Sequence, residues 1–188
     1  MSRLVFTGGH YPGMWDRFRH YGPSASRFDH HLPPIGGDAR EQERGIMYLA
    51  TGDVAFNTCI AECFQETRRI CPRERTPAMV VFALARDICL LDLRGTFSTR
   101  VGASMAIHAG PRSVARLWSR LLYASYPAID GLLYRSSMNG GANAIALYER
   151  AQGAIPDTCL LHRLLCDPLL APALAGAADT LGYLIVDD

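Results

Sequence analysis

The sequence predicts one mixed domain of helices and strands, on three observations. At 188 residues the chain has the length of a single domain and can bury a substantial core. Hydrophobic residues make up 49% of it and charged residues 20%, a balance that belongs to a globular chain and not to a disordered one. Short apolar runs of strand length are interspersed with stretches of helical periodicity, with no internal repeat and no composition break marking a second domain.

Taken in order, Gly8-Gly9 and Pro12-Gly13 punctuate the first residues. Met14 to Arg19 alternates apolar and charged residues, the period of a strand, with Asp16 and Phe18 on one face and Trp15, Arg17 and Arg19 on the other. An arginine beside a tryptophan there is either a surface stack or an anion site at a cleft edge. Residues 20–43 read as a long loop, punctuated by Gly22-Pro23, Pro33-Pro34 and Gly36-Gly37, and a loop of that length is more often a functional rim than idle chain. It contains Arg27-Phe28-Asp29-His30-His31. The adjacent histidines point apart on extended backbone and have no matching carboxylate spacing, so no metal site is expected.

Gly45 to Ala50 is compact and apolar enough for a buried strand; Thr51-Gly52-Asp53 breaks it, with Asp53 a good N-cap. From Val54 the residues Val54, Ile60, Ala61 and Phe64 recur at near-helical spacing, and Glu62 lies among them. That carboxylate is either exposed on the outer stripe of an ordinary helix or aimed into a cleft beside the strand end. Cys71-Pro72 ends the pattern. Met79 to Ala85 and Ile88 to Leu93 read as two strands with a bend or tight hairpin at Arg86-Asp87. Residues 94–110 are loop-like. Pro111 to Ala124 is a helix with an apolar stripe of Val114, Leu117, Trp118, Leu121 and Leu122, and with Arg112, Arg116 and Arg120 opposite. Ser113 falls in its first turn, where it is a simple cap or part of an anion site. Asp130 to Arg135 and Ala144 to Tyr148 are strands around the turn Asn139-Gly140-Gly141. Residues 158–176 look helical, broken by Pro168 and Pro172, and Leu181 to Val186 is a last strand.

Several function classes drop out. A formal charge of +1 gives no electrostatic case for nucleic acid or an anionic membrane. All 19 basic residues are arginine, which removes Schiff-base lysine chemistry and the phosphate-loop lysine and leaves the guanidinium fork for any phosphate or carboxylate. The six cysteines include no Cys-x-x-Cys pair; Cys59 and Cys63, four apart, are half a metal site at most and read better as small core residues. No signal peptide opens the chain and no apolar run is long enough to span a bilayer, so a cytoplasmic protein with reduced thiols is expected.

Taken together, Trp15-Asp16-Arg17-Phe18, Arg27-Phe28-Asp29, Arg44 to Ala50, Ala61-Glu62-Cys63-Phe64, Leu91-Asp92-Leu93, Ser113 to Trp118 and Asp130 to Ser136 resemble, in order and spacing, the RES domain, named for its arginine, glutamate and serine. The resemblance covers residues 14–148, with 149–188 as a C-terminal extension of the same single domain. It implies an α+β, ADP-ribosyltransferase-like fold, with two small β-sheets forming a cleft and helices flanking them. It implies a toxin of a bacterial toxin–antitoxin pair, partnered by a helix-turn-helix antitoxin, with homo-oligomers an open matter. NAD is the implied substrate, its nicotinamide–ribose bond cut by phosphorolysis or hydrolysis, with inorganic phosphate as co-substrate and no metal. Carried over residue by residue, Glu62 is the family glutamate and Tyr48 the tyrosine of the preceding strand. Arg17 and Arg27 both match the arginine, and Ser113 and Ser136 both match the serine. Arg116 stands where many relatives carry glutamine.

These residue types suit the implied chemistry. Loss of nicotinamide leaves positive charge on the ribose, which Glu62 can stabilise. Arg17 and Arg27 can hold the pyrophosphate or recruit phosphate, Tyr48 can meet the ribose, and Ser113 or Ser136 can join an anion site. Two other readings remain: an ADP-ribosyltransferase acting on a macromolecule, and a catalytically silent partner-binding module.

Overall fold

The structure is a computed structural model that describes residues 1–34, 36 and 38–186, so of the Gly36-Gly37 pair only Gly36 lies within the described residues. In chain order the elements are β1 (Ser2–Phe6), β2 (Arg19–Gly22), β3 (Arg40–Ala50), α1 (Ala55–Cys63), β4 (Arg69–Ile70), β5 (Pro77–Val81), β6 (Leu90–Asp92), α2 (Phe97–Arg100), α3 (Ala106–Ala109), α4 (Arg112–Ser125), β7 (Gly131–Arg135), β8 (Asn143–Tyr148), β9 (Leu161–Leu164), α5 (Ala171–Leu181) and β10 (Leu184–Ile185).

The architecture is mixed α+β, as expected, with two sheets of unequal size. The main sheet runs β6-β7-β8-β3-β1-β5-β9, with β2 laid along β3; β10 and β4 form a separate parallel pair. Within the main sheet β6 and β7 are parallel and the other pairs antiparallel. One junction matters for function. β1 and β3 share only the register pair Ser2 with Ala50, after which β1 continues along β5 and β3 along β8. The main sheet is thus two half-sheets hinged at one pair, and they part toward Leu4 and Tyr48.

Alternation along the strands sends side chains to three core clusters. Leu4, Ala50 and Met79 meet Cys59 and Ile60 of α1 and Leu174 and Ala177 of α5. Ile46, Tyr48, Tyr134 and Tyr148, on the other half-sheet, meet Phe28 and Ala115 and Leu122 of α4. On the reverse face Val5, Met47, Leu49 and Val80 meet Trp15, Phe18 and Phe82. The C-terminal extension completes the first cluster through Leu165, Leu170 and α5, so its apolar residues serve the core.

Several expectations need correction. Met14 to Arg19 is not a strand: Trp15-Asp16 turns, and β2 starts only at Arg19. The alternation arises because Trp15 and Phe18 plug the reverse-face core while the Arg3 guanidinium holds the carbonyls of Trp15 (2.6 Å) and Arg17 (3.1 Å). β3 begins at Arg40, inside the supposed loop, since its polar first half pairs with β2 at an exposed edge. Helix α1 starts at Ala55 with Val54 in the cap position and no side-chain cap, so Asp53 does not cap it. β5 and β6 form no hairpin and sit at opposite parts of the sheet. Asp130 explains this: its carboxylate accepts from Arg86 (2.8 and 3.1 Å) and from the Cys89 backbone (2.8 Å), drawing residues 86–89 to the start of β7. Residues 94–110 contain the short α2 and α3. Leu161 to Leu164, expected to be helical, is strand β9 along β5. Pro172 sits in the first turn of α5, where its missing N–H costs nothing, so it opens that helix instead of breaking it.

Helix α4 corrects the sequence reading most usefully. It exists as expected, but its buried face is Ala115, Ser119 and Leu122, while Val114, Leu117 and Leu121 point to solvent. The rotation satisfies polar groups: the Ser119 hydroxyl donates to the Phe28 carbonyl at 2.7 Å, and Ala115 allows the close approach.

A half-buried carboxylate, Glu149, ties β3 to α4 beside the second cluster. Glu149 accepts from the Gly45 backbone (2.9 Å), the Tyr123 hydroxyl (2.5 Å) and His30 Nε2 (3.3 Å). Burial alone would raise its pKa, but the hydrogen bonds from His30, Tyr123 and Gly45 outweigh it and bring the group down to about 2. Burial lowers His30, so it folds neutral. A depressed carboxylate gives stability that is full above its unfolded pKa of 4.5 and lost as pH falls toward 2; a depressed histidine adds a loss beginning below 6.5. Urea unfolding as a function of pH should show stability falling from about pH 6.5 downward, and Glu149→Gln should flatten the acid limb while lowering stability at neutral pH. An unchanged acid limb in that variant removes Glu149 as its source.

Candidate functional site

The apolar run Gly45 to Ala50 carries the chain through the middle of the sheet, and Gly52, at φ +90°, makes the turn that leads into α1. Cys59 and Ile60 anchor α1 against Leu4 and Ala50. That packing presents Glu62, in the last turn, to a cavity of about 300 Å³ where the half-sheets part. Its walls include Leu4, Tyr48, Ala50 and Tyr134 from the strands, Arg27 from the loop before β3, Glu62 from the last turn of α1, Gln65 from the turn after it, and Arg112 from the start of α4.

Glu62 is held by a serine. Ser136 Oγ donates to Glu62 Oε1 at 2.6 Å and itself accepts the backbone N–H groups of Met138 and Asn139, both at 3.1 Å. The hydroxyl proton is therefore committed to the carboxylate, and Ser136 is a positioning residue. The turn is pinned to the helix in return, because Asn139 Nδ2 donates to Thr58 Oγ1 at 2.9 Å. Glu62 forms no salt bridge among the described residues, so its charge faces the cavity.

Arg27 is fixed at both ends. Its carbonyl accepts the Tyr48 hydroxyl at 2.8 Å, and its Nη1 donates to the carbonyls of Gly110 (2.9 Å) and Ile107 (3.3 Å). Nη2 has no hydrogen bond among the described residues, leaving one edge of the fork for an anion. Burial and the neighbouring Arg112 push Arg27 below its ordinary pKa, with Glu62 acting the other way. Two guanidiniums and two carboxylates thus line the cavity, with the exposed Glu66 at 3.8 Å from Arg112 and Glu62 facing inward. Arg112 Nη2 donates to Gln65 Oε1 at 2.5 Å, and Gln65 Nε2 to the Glu62 carbonyl at 2.6 Å, linking α4 to the end of α1. Burial pushes the Tyr48 and Tyr134 hydroxyls up, so both stay protonated. Cys63 also reaches the wall from the last residue of α1.

The loop that aims Arg27 rests on a buried ion cluster. Phe28 adopts φ +61°, a left-handed conformation that costs a bulky side chain on the order of 1–2 kcal/mol. It persists because Phe28 is fully buried against Tyr134, at 4.7 Å between rings, and because Asp29 is clamped next to it. Asp29 accepts from Ser24 Oγ (2.7 Å), the Ser24 backbone (2.8 Å), Arg19 (2.8 Å), His31 Nδ1 (2.7 Å) and the His31 backbone (3.0 Å). Asp29→Asn, which discards the charge of this cluster, should cost roughly 1.5–3 kcal/mol of stability. A thermal melt indistinguishable from that of the unaltered protein would show that the clamp adds nothing.

The structure therefore brings Glu62, Arg27, Tyr48 and Ser136 together and leaves two other candidates apart. Arg17 lies in the turn after Trp15, mostly exposed, its nearest carboxylate Asp16 at 3.9 Å, and does not line the cavity. Ser113 is exposed in the first turn of α4 and makes no cap bond. Among the described residues no group of three or more His, Cys, Asp or Glu is placed to hold a metal ion, and no helix is long and apolar enough to cross a membrane. Sequence reasoning missed Arg112 and Gln65. Gln65 follows Glu62 by three residues, which places both on one side of the chain, and that spacing was the available signal for it. Arg112 carries no such signal, since only the tertiary packing of α4 brings it to α1.

The family model described as the RES domain matches residues 2–164. No curated protein and no solved structure matches the chain.

Proposed function

The chain belongs to the RES domain family, and from that premise we propose that it is an NAD-degrading enzyme which breaks the nicotinamide–ribose bond. The family is generally linked to NAD-related toxin activity. The observation that carries the reading is the Glu62 carboxylate, oriented by Ser136 and in no salt bridge among the described residues, in a cavity it shares with the open fork of Arg27.

The cavity, about 300 Å³, is at the small end for a ligand site and suits the ribosyl-nicotinamide end of NAD, with the rest of the dinucleotide lying across its mouth. As the C–N bond breaks, its electron pair goes to the cationic ring nitrogen, and nicotinamide leaves neutral without a general acid. The positive charge left on the ribose C1 and ring oxygen faces Glu62, which stabilises it. Arg27 and Arg112 grip phosphate oxygens, either of the dinucleotide or of an incoming phosphate ion. Tyr48 holds the Arg27 backbone and forms the wall beside the ribose. Phosphate then adds to C1, giving ADP-ribose 1-phosphate and nicotinamide. With water as acceptor the product is ADP-ribose.

We favour phosphate, because a site that gathers two guanidiniums next to the ribose also concentrates that ion. The test is NAD turnover by purified protein with and without phosphate, read by product mass. Phosphate-accelerated turnover with a phosphorylated product supports the phosphorolytic reading. Plain ADP-ribose at saturating phosphate makes the protein a hydrolase, a labelled macromolecule makes it a transferase, and NAD left intact overturns the proposal. The same reading carries a toxin role with a helix-turn-helix antitoxin partner, a cytoplasmic location and a single domain over residues 1–188.

A further inference from the structure

Helix α4 has two faces, and only one is accounted for by the fold. Ala115, Ser119 and Leu122 are in the core. On the opposite side Val114, Leu117 and Leu121 are 45%, 59% and 55% exposed, and Ala124 continues the line. Their spacing of three, four and three residues is that of an a/d seam, the pattern by which one helix receives another. Arg116 and Arg120 border the seam on one side and make no hydrogen bond or salt bridge among the described residues.

The stretch of chain around this helix is basic. Residues 93–129 contain five arginines and no aspartate or glutamate, so the chain's net charge of +1 divides into +5 in this stretch and −4 elsewhere. Arg94 and Arg112 are engaged with Asp92 and with Gln65 and Glu66. Arg116 and Arg120 are left to meet charge from outside.

We propose that this face of α4 is a docking seam for an amphipathic helix of another protein, apolar along one stripe and flanked by carboxylates. Three apolar side chains in the groove give the contact its area, and the two guanidiniums choose the sign of the partner. A second copy of this chain does not fit: two such faces oppose arginine to arginine with no carboxylate between them, and no helix among the described residues carries an acidic stripe beside an exposed apolar one. A membrane surface fits less well, because the stripe is one residue wide and Trp118 turns inward to the Leu132 cluster instead of outward. The inference rests on α4 alone and stands whether or not the cavity consumes NAD.

The test uses two labelled synthetic helical peptides of 21 residues, both with leucine at a and d, one with glutamate at e and g and the other with lysine there. Fluorescence anisotropy with the full chain should show the acidic peptide binding at least tenfold more tightly than the basic one. Leu117→Gln with Leu121→Gln should weaken it at least tenfold at an unchanged melting temperature, and Arg116→Glu with Arg120→Glu should reverse the preference. No binding, or equal binding of both peptides, overturns the proposal. A dimer by light scattering that Leu117→Gln converts to monomer assigns the seam to a second copy instead. Pelleting with phosphatidylserine vesicles that Leu117→Gln abolishes, without peptide binding, assigns it to a membrane.

Discussion

Glu62→Gln is expected to lower NAD turnover by roughly a hundredfold to a thousandfold, the scale on which a preorganised charge-stabilising group is removed from an active site, while leaving the fold and the Michaelis constant close to unchanged. Glutamine keeps the shape and can still accept the Ser136 hydroxyl that meets Oε1 at 2.6 Å, so the turn bound to Thr58 through Asn139 should hold. What disappears is the negative charge opposite the ribose when nicotinamide leaves. The loss should therefore fall on kcat. Ser136→Ala makes the complementary case: the charge stays but its orientation is freed, and the loss should be smaller than for Glu62→Gln. A folded Glu62→Gln protein with full turnover would return the carboxylate to the role of a solvated helix residue and leave the cavity without its electrostatic centre.

The parts of this molecule that could be read from sequence are those where local pattern and tertiary environment agree. Gly45 to Ala50 is apolar because it is buried on both faces, and Asp130 to Tyr148 carries its own turn in Asn139-Gly140-Gly141, so both strands and their pairing follow from short-range chemistry. Glu62 could be placed on a helix after the strand, but its direction could not, since nothing nearby in sequence says that β1 and β3 part at Ser2 and Ala50. The failures share a cause. Trp15 and Phe18 alternate with charges as a strand does, yet they are plugs in a turn that Arg3 holds from a different strand. On α4 the larger apolar residues were the better guess for the core, but the unpaired Phe28 carbonyl, 91 residues away, needed the Ser119 hydroxyl and turned the helix round. Polar groups that must be satisfied across the fold outvoted hydrophobic periodicity in both cases. The same competition hid the first half of β3, whose charged residues face solvent along an edge that only β2 defines.

Arg27→Ala should raise the Michaelis constant for NAD by roughly tenfold to a hundredfold, since a charge-assisted hydrogen bond contributes on the order of 1.5–3 kcal/mol, whereas Arg17→Ala should leave it unchanged. The contrast comes from placement. The Arg27 guanidinium enters the cavity with Nη1 anchored on the Gly110 and Ile107 carbonyls and Nη2 open, while Arg17 sits in the turn beside Asp16 and lines no part of the cavity. Arg27→Lys should recover little, because an ammonium cannot hold the two carbonyls and an anion at once in the planar geometry of the fork. If phosphate is the acceptor, the Michaelis constant for phosphate should rise in Arg27→Ala as well, and product analysis should show the balance moving toward plain ADP-ribose. Equal effects of the two alanine substitutions on NAD binding would mean that the turn at Trp15 reaches the dinucleotide after all. An effect of Arg17→Ala alone would transfer the family arginine to that turn and leave Arg27 as the brace between the loop before β3 and the start of α4.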